Sequence, residues 1–276
     1  MIEEIKDSQG AVDIPDERDF SAEHLFGALE VELPTSVNLN NVPSHNQGRS
    51  WHCTAYALTH VMEILNTLEF HLKAMADPEE QWANQKFERG GAESMETEGD
   101  SLQNALRTLV KYGLNNKTPA IGIPKFEVTN YAFVENKIES VKKWLAKGMP
   151  IYTGAGNHCF ALVGYHDGMQ AFIAKNSYGP TYGKAKDGTF NVPYASFGNL
   201  FSKYIVFDKQ DLKMIFKDVS ESSPMAEAIK FVQEKGLMKG YGSSNEPKER
   251  LFMPEKPVTR AELAQVLFNF FNSQNK

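Results

Sequence analysis

Gln47-Gly48-Arg49-Ser50-Trp51-His52-Cys53-Thr54-Ala55-Tyr56-Ala57 is the stretch on which the fold turns. It sets a side-chain amide six positions before one of only two cysteines in the chain. From that cysteine onward Ala57, Val61, Leu65 and Leu68 recur at helical spacing, which predicts a helix opening at Cys53 and running to about Leu72. The thiol then sits at a helix N-terminus, where the helix dipole favours a thiolate. Far downstream, His158 stands in Asn157-His158-Cys159-Phe160-Ala161-Leu162-Val163-Gly164-Tyr165, and Lys175-Asn176-Ser177-Tyr178-Gly179 follows it. A thiol, an imidazole and two amides in this order form a nucleophilic site.

Each residue type has a task in amide hydrolysis. His158 lowers the pKa of the Cys53 thiol and then protonates the leaving amine. Attack on a carbonyl creates an oxyanion, for which the Gln47 side-chain amide and the Cys53 backbone N–H are the candidate donors. Asn176 can accept a hydrogen bond from the imidazole, with Tyr178 packed over that bond to keep water away.

Outward from this site, Asp100 reads as the N-cap of a helix carrying Leu102, Ala105, Leu106, Leu109 and Val110, which Gly113 ends. A further amphipathic helix carries Ile138, Val141 and Leu145 and stops at Gly148. Then 150–153, 160–165 and 171–174 read as strands separated by turn residues. Helices early and strands late predict an α+β domain with its cleft between the two halves. Residues 1–33 read as an extended arm laid over a domain, residues 34–207 as the main domain and 208–214 as a linker. Residues 215–276 have a separate composition. There Ser223 and Pro224 open a helix that Gly236 ends, and Thr259-Arg260-Ala261-Glu262 forms a capping box ahead of a second helix.

Composition narrows the function. The 276 residues allow one medium domain and a small one. With 29 basic against 35 acidic side chains the net charge is −6, and no basic run is long enough to hold a phosphate backbone, so nucleic acid is not an expected partner. No apolar stretch reaches the length of a membrane span, and the acidic start Met1-Ile2-Glu3-Glu4 does not read as an export signal. Two cysteines are too few for a disulfide framework, and a Cys53–Cys159 bridge would block the nucleophile.

The three blocks around Cys53, His158 and Asn176, with the preceding Leu33-Pro34-Thr35-Ser36-Val37-Asn38-Leu39, resemble the signature blocks of papain-like cysteine peptidases over roughly residues 14–207. The resemblance implies a two-lobe fold, one lobe helical and one an antiparallel β lobe. It implies Cys53 as nucleophile, His158 as general base and acid, Asn176 as orienter and Gln47 as oxyanion donor, with no metal, cofactor or disulfide. It also implies Asn157, Cys159 and Tyr178 as residues lining the substrate cleft, with Cys159 a small apolar pocket residue rather than a redox partner. Glu98-Gly99-Asp100-Ser101 is similar to the family's glycine-containing substrate edge, and it reads equally well as a helix-capping turn; Gly90-Gly91 has the same two readings.

Two departures stand out. The family's Gly-Ser-Cys-Trp is here Trp51-His52-Cys53-Thr54, so the aromatic after the nucleophile is lost and His52 is new, read as a surface histidine. From Cys53 to His158 is 105 residues, where roughly 130 or more is typical of papain-like enzymes, which predicts a reduced cleft wall.

The tail blocks Phe216-Lys217-Asp218-Val219, Ala226-Glu227-Ala228-Ile229, Gly236-Leu237-Met238-Lys239-Gly240-Tyr241-Gly242, Phe252-Met253-Pro254 and Val258-Thr259-Arg260-Ala261-Glu262 resemble one S-layer homology domain. Such domains usually occur in threes and bind anionic cell-wall polysaccharide. By that resemblance Arg260 faces an anionic sugar, since a guanidinium pairs bidentately with carboxylate; it reads as evenly as an ordinary first-turn arginine. A single copy leaves an apolar face to be covered by a homotrimer or another partner. The expectation is a cysteine endopeptidase acting on protein or peptide substrates, anchored or oligomerised at a bacterial cell surface, a cell wall or a phage virion. Two alternatives stay open: a peptidoglycan cross-link peptidase or amidase, and a structural virion or surface-layer protein whose peptidase fold turns over little.

Overall fold

The computed structural model describes residues 10–14, 21–26, 29–70, 75–117, 125–207, 214–216, 218–220, 225–234, 237–238, 240–241, 251–254 and 256–274. In chain order the first elements are β1 (Ala11–Val12), α1 (Ala22–Phe26), β2 (Ser36–Asn38), α2 (Cys53–Phe70), α3 (Pro78–Glu88) and α4 (Met95–Glu98). They are followed by β3 (Asp100–Ser101), α5 (Leu102–Tyr112), β4 (Leu114–Asn115), β5 (Lys125–Phe126), β6 (Asn130–Phe133) and α6 (Ile138–Ala146). Next come β7 (Ile151–Ala155), β8 (His158–His166), β9 (Ala171–Lys175), β10 (Thr189–Pro193) and β11 (Tyr204–Phe207). The chain closes with β12 (Met214–Phe216), β13 (Val219–Ser220), α7 (Ala226–Glu234) and α8 (Arg260–Gln274). Contacts divide it into two compact units, Met1–Asp19 with Glu30–Phe207, and Phe20–Leu29 with Asp208–Lys276. The stretch 1–33 is thus shared between the two.

The first unit sets helices against one sheet. Strand order is β10-β9-β8-β7-β11-β6, with β2 on β8, and every one of these pairings is antiparallel. Helix α2 is buried almost all round along its first three turns, as a helix apolar on several faces must be. Its Cys53, Ala57, Leu58, Val61 and Met62 share one core with Leu102, Ala105, Leu106 and Leu109 of α5 and with Tyr152, Cys159, Ala161 and Val163 of the sheet. The nucleophile candidate and the strand bearing His158 are therefore part of the same packed interior.

Local chemistry explains where the elements depart from the sequence reading. The cap of α5 is Ser101, whose side chain accepts from Asn104 N, and not Asp100. The Asp100 carboxylate is taken by Arg89 Nη1 at 3.1 Å and Asn104 Nδ2 at 2.6 Å instead. Helix α3 was not anticipated, although Asp77 caps it by accepting from Glu79 N and Pro78 supplies a first-turn proline. The expected stops at Gly113 and Gly148 both hold, at φ +62° and +83°.

Beneath the sheet's approach to α2 lies a buried polar cluster that sequence gave no reason to expect. His45 Nε2 meets the buried Glu63 Oε1 at 2.8 Å, and the His45 ring stacks on His60. His60 Nε2 accepts from His45 N at 2.9 Å. Lys175 Nζ is capped by Asn40 Oδ1 at 2.6 Å and Val42 O at 2.7 Å. Burial pushes its pKa down to about 8, against the pull of Glu63 and Asp187.

The second unit has its own small core of Phe216, Val219, Ala226 and Ile229, with Phe252 packed against it. Asp218 joins two segments by accepting from Phe252 N and Met253 N, each at 2.7 Å. The capping box forms as read: Glu262 N donates to Thr259 Oγ1, and Thr259 N donates back to Glu262 Oε2. The caps proposed at Ser223, Pro224 and Gly236, and the linker positions 208–213, lie outside the described residues. Leu263, Leu267 and Phe268 of α8 and Phe231 of α7 are exposed.

Two stability predictions follow from these contacts. Burial, then the charges of Lys175 and His45, hold His60 neutral well below its ordinary range, whereas the unfolded residue titrates near about 6.5. The unfolded chain then binds the extra proton as pH falls below that value, so this contribution to stability is complete above it and declines by about 1.4 kcal/mol per pH unit beneath it. Denaturant midpoints between pH 7.5 and 5 should fall accordingly, and His60→Gln, which keeps an acceptor, should flatten the slope by about one proton. In the second unit Thr259→Ala should cost about 1 kcal/mol, read from its own unfolding transition.

Candidate active site

Cys53 is the first residue of α2, so its backbone N–H is one of the donors that the helix leaves without an intrahelical partner. Its thiol is wholly buried, and burial alone would suppress ionisation. Hydrogen bonds from Cys159 and His158, and the charge of His158, outweigh that penalty and hold the pKa well below the ordinary thiol range. Cys159 moves the opposite way: burial and the charge on Cys53 push it well up, so it stays a thiol and donates. Cys53, Cys159 and the His158 imidazole thus act on one another's charge.

His158 opens β8, and Asn176 follows the last residue of β9. Pairing of these two neighbouring strands brings them together, with His158 Nε2 to Asn176 Oδ1 at 2.7 Å, both side chains buried. The Asn176 oxygen also accepts from Ser177 N at 2.8 Å, which orients the amide. With Nε2 on Asn176, the imidazole keeps Nδ1 without a hydrogen-bond partner, and its charge helps to lower the Cys53 pKa. Tyr178 stacks on the ring, centroids 5.1 Å apart and planes 22° apart, where it shields the His158–Asn176 bond.

Gln47 reaches the same locality through a bridge of its segment to 176–179. Gln47 N donates to Ser177 O at 2.8 Å and Gly179 N to His45 O at 2.9 Å. Its carbonyl oxygen accepts from the Ser177 hydroxyl, and its amide nitrogen donates to Ser50 O at 2.7 Å. An amide NH₂ has two hydrogens, so one donor remains for an oxyanion. Ser177, unassigned in the sequence reading, is what holds this amide in place; its position directly after Asn176 was the only available signal.

His52 is partly exposed, and it is not free at the surface. Its ring stacks on Trp82 at 4.2 Å and sits between two carboxylates, with Nδ1 3.0 Å from Glu79 Oε2 and Nε2 3.2 Å from Glu96 Oε2. A buried indole and two acidic neighbours retain the ring, and they tie α4 to the residue before the nucleophile. Thr54, in place of the lost aromatic, is buried and donates to Gln85 Oε1 at 3.0 Å.

Residues 10–14 run across this site. Ala11 N donates to Asn157 O at 3.0 Å, and Asp100 N donates to Gly10 O at 3.0 Å, while β1 pairs in parallel with β3. Asp13 anchors the segment: its carboxylate accepts from Ser202 N at 2.8 Å, Ser202 Oγ at 3.0 Å and Gln103 Nε2 at 3.3 Å. Ile14 N donates to Gln103 Oε1 at 3.3 Å. Gly99, at φ +77°, touches the Gly10 backbone so closely that any Cβ there would overlap it. Gly10, at φ +118°, meets Trp51 in the same way. Of the residues expected to line the cleft, Gly99 and Asn157 therefore hold the arm by backbone contact, Cys159 lies beneath it in the core and Tyr178 covers the imidazole. Arg260 stands apart in the second unit, exposed at the first turn of α8. Among the described residues no cluster of His, Cys, Asp and Glu could hold a metal ion.

The fold is that of the papain-like cysteine proteases. Xylellain, a cysteine protease from Xylella fastidiosa, is similar at 21% identity and TM-score 0.60, covering 73% of this chain and 96% of that one. The proform of the ragweed pollen allergen and cysteine protease Amb a 11 aligns at 19% identity and TM-score 0.54, over 66% and 67% of the two chains. Digestive procathepsin L 3 of Tenebrio molitor larval midgut aligns at 15% and TM-score 0.53, over 69% and 76%. Residues 215–264 match the S-layer homology domain family. A cellulosome-anchoring protein of Acetivibrio thermocellus is 30% identical over 132 residues, 46% of this chain and 25% of that relative's length. The chain thus joins a papain-like protease fold to an S-layer homology domain.

Because the arm and Gly99 meet backbone to backbone, Gly99→Ala should expel residues 10–12. Amide hydrogen exchange at Ala11 and Asp100, the two donors of that contact, should rise toward the rate of an open segment. Unchanged protection would show that the arm does not depend on this approach.

Proposed function

We propose that the chain is a cysteine endopeptidase, kept latent by its own residues 10–14 and tethered or assembled through its S-layer homology domain. The observation that carries this reading is the convergence of Cys53, His158, Asn176 and Gln47 at the N-terminus of α2, with the thiol drawn well below its ordinary pKa. In this mechanism the Cys53 thiolate attacks the scissile carbonyl. The Cys53 backbone N–H and the remaining Gln47 N–H receive the oxyanion, and His158 protonates the leaving amine through Nδ1. Asn176 holds the ring, and a water activated by His158 then releases the acyl group.

The arm supports latency, since its Gly10 carbonyl takes the Asp100 N–H and its Ala11 N–H takes the Asn157 carbonyl, next to His158. Two of the similar solved structures are precursor forms, one a proform and one a procathepsin. We assign the peptidase to residues 34–207, the linker to 208–214 and the S-layer homology module to 215–276. In that module Arg260 is the group offered to an anionic wall sugar, and a homotrimer or a protein partner would cover Leu263, Leu267 and Phe268. No helix among the described residues is long and apolar enough to cross a membrane. The S-layer homology domain also favours a second reading, the same chemistry on cross-link peptides of the wall, which incubation with purified sacculi separates from proteolysis.

An epoxysuccinyl inhibitor should alkylate Cys53 in the full chain, and His158→Ala should abolish that labelling. Asp13→Ala, which removes three hydrogen bonds holding the arm, should raise the labelling rate on the order of tenfold or more, given roughly 1.5 kcal/mol for even one bond to a charged group. Failure to label even after Asp13→Ala would contradict a working nucleophile.

A further inference from the structure

The chain has only two cysteines, and the fold brings both into the same buried core. Cys53 opens α2, Cys159 is the second residue of β8, and that helix and strand pack directly on each other. Both side chains are fully buried, and neither is in a disulfide. Tyr152 ties the two positions together, its hydroxyl lying 3.8 Å from Cys159 Sγ and donating to Thr54 O, the carbonyl next to Cys53, at 3.1 Å. Each sulfur also shifts the other's ionisation, Cys53 downward and Cys159 upward, as close neighbours do.

An apolar residue after His158 would complete a pocket wall equally well, so packing alone does not call for sulfur at this position. What sulfur adds is a second reactive group beside a thiolate. We infer that Cys53 and Cys159 form a dithiol modification site, which a hydroperoxide converts to an intramolecular disulfide that a small thiol or dithiol reductant reopens. The inference deepens the reading of Cys53 as nucleophile, because the bridge would silence it, but the chemistry itself needs only the two sulfurs.

The steps balance. The Cys53 thiolate attacks one oxygen of hydrogen peroxide, the O–O bond breaks, a sulfenic acid forms and hydroxide leaves, taking up a proton to become water. Cys159 sulfur then attacks the sulfenic sulfur, the S–S bond forms, the S–O bond breaks, and the S–H proton leaves with the hydroxyl as a second water. The two thiols lose two electrons, and one peroxide gains them. Three features favour this course. Cys53 has thiolate character, which selects it as the attacked sulfur. Cys159 is a close neighbour, so the second step is intramolecular and pre-oriented. Capture of the sulfenic sulfur by Cys159 removes the species that a second peroxide would oxidise, which disfavours the irreversible sulfinic stage.

The test uses the purified full chain, reduced and then exposed to a few equivalents of hydrogen peroxide, with intact-mass measurement and peptide mapping. The expected product is two mass units lighter, yields one linked peptide joining Cys53 and Cys159, and returns to two alkylatable thiols on reduction. In Cys159→Ala the same treatment should instead add oxygen at Cys53. Oxygen added at Cys53 of the unsubstituted chain with Cys159 still alkylatable, or no loss of thiol at excess peroxide, would overturn the inference. Because the readout is mass and not turnover, it is independent of whether the chain proves to be a peptidase.

Discussion

A thiol buried in a protein core ionises only where its charge is met at once, and at Cys53 that duty falls on His158 and Cys159. Both come from the first two residues of β8, so the placement of one strand end against one helix end decides the chemistry. The antiparallel sheet is what delivers it. Pairing β8 to β9 sets Asn176 against His158 Nε2, and the bridge of 45–47 to 176–179 then aligns Gln47. Even the buried cluster of His45, His60, Glu63 and Lys175 serves this geometry, because it pins the segment before Gln47 to α2 and the strand before Asn176 to the chain that enters the sheet. Each of these side chains would be costly to bury alone and holds at least one partner, while His60 Nδ1 and Glu63 Oε2 have none.

The same burial makes access to the thiolate the controlling step. Residues 10–14 lie across the site through backbone hydrogen bonds and one anchoring carboxylate, contacts that exchange readily for those of another extended chain. Two glycines make the approach feasible, since Gly10 and Gly99 meet Trp51 and each other with no room for a Cβ. His52, bound by Glu79 and Glu96, links the helix start to α4 and so to Gly99, which couples the edge that holds the arm to the residue next to the nucleophile.

Much of this was legible in sequence because it rests on local pattern. The 3.6 period after Cys53, the capping box at Thr259 and Glu262 and the glycine stops at 113 and 148 each act within a few residues. The order Gln47, Cys53, His158, Asn176 was readable because reaction chemistry restricts residue types. What sequence could not show depends on distant partners. Asp100 scores as a cap by type, but Arg89 and Asn104 claim its carboxylate, leaving Ser101 to cap. His52 has no local sign that Trp82, Glu79 and Glu96 will enclose it. Asp13 and Gly10 sit in a charged, aperiodic stretch, and only the fold brings Ser202 and Gly99 to them. Cys159 was legible as a neighbour of the imidazole, but not as a neighbour of Cys53.

The S-layer homology domain adds a second, separately cored unit in which Leu263, Leu267 and Phe268 are exposed. The most direct measurement is an ultraviolet absorbance titration of thiolate in the full chain, compared with Cys53→Ala to isolate that sulfur and with His158→Ala to remove its partner. The account predicts thiolate absorbance at Cys53 persisting well below the ordinary thiol range, and lost from that range when His158 is replaced. A Cys53 that titrates as an ordinary or raised thiol in the unsubstituted chain would contradict it.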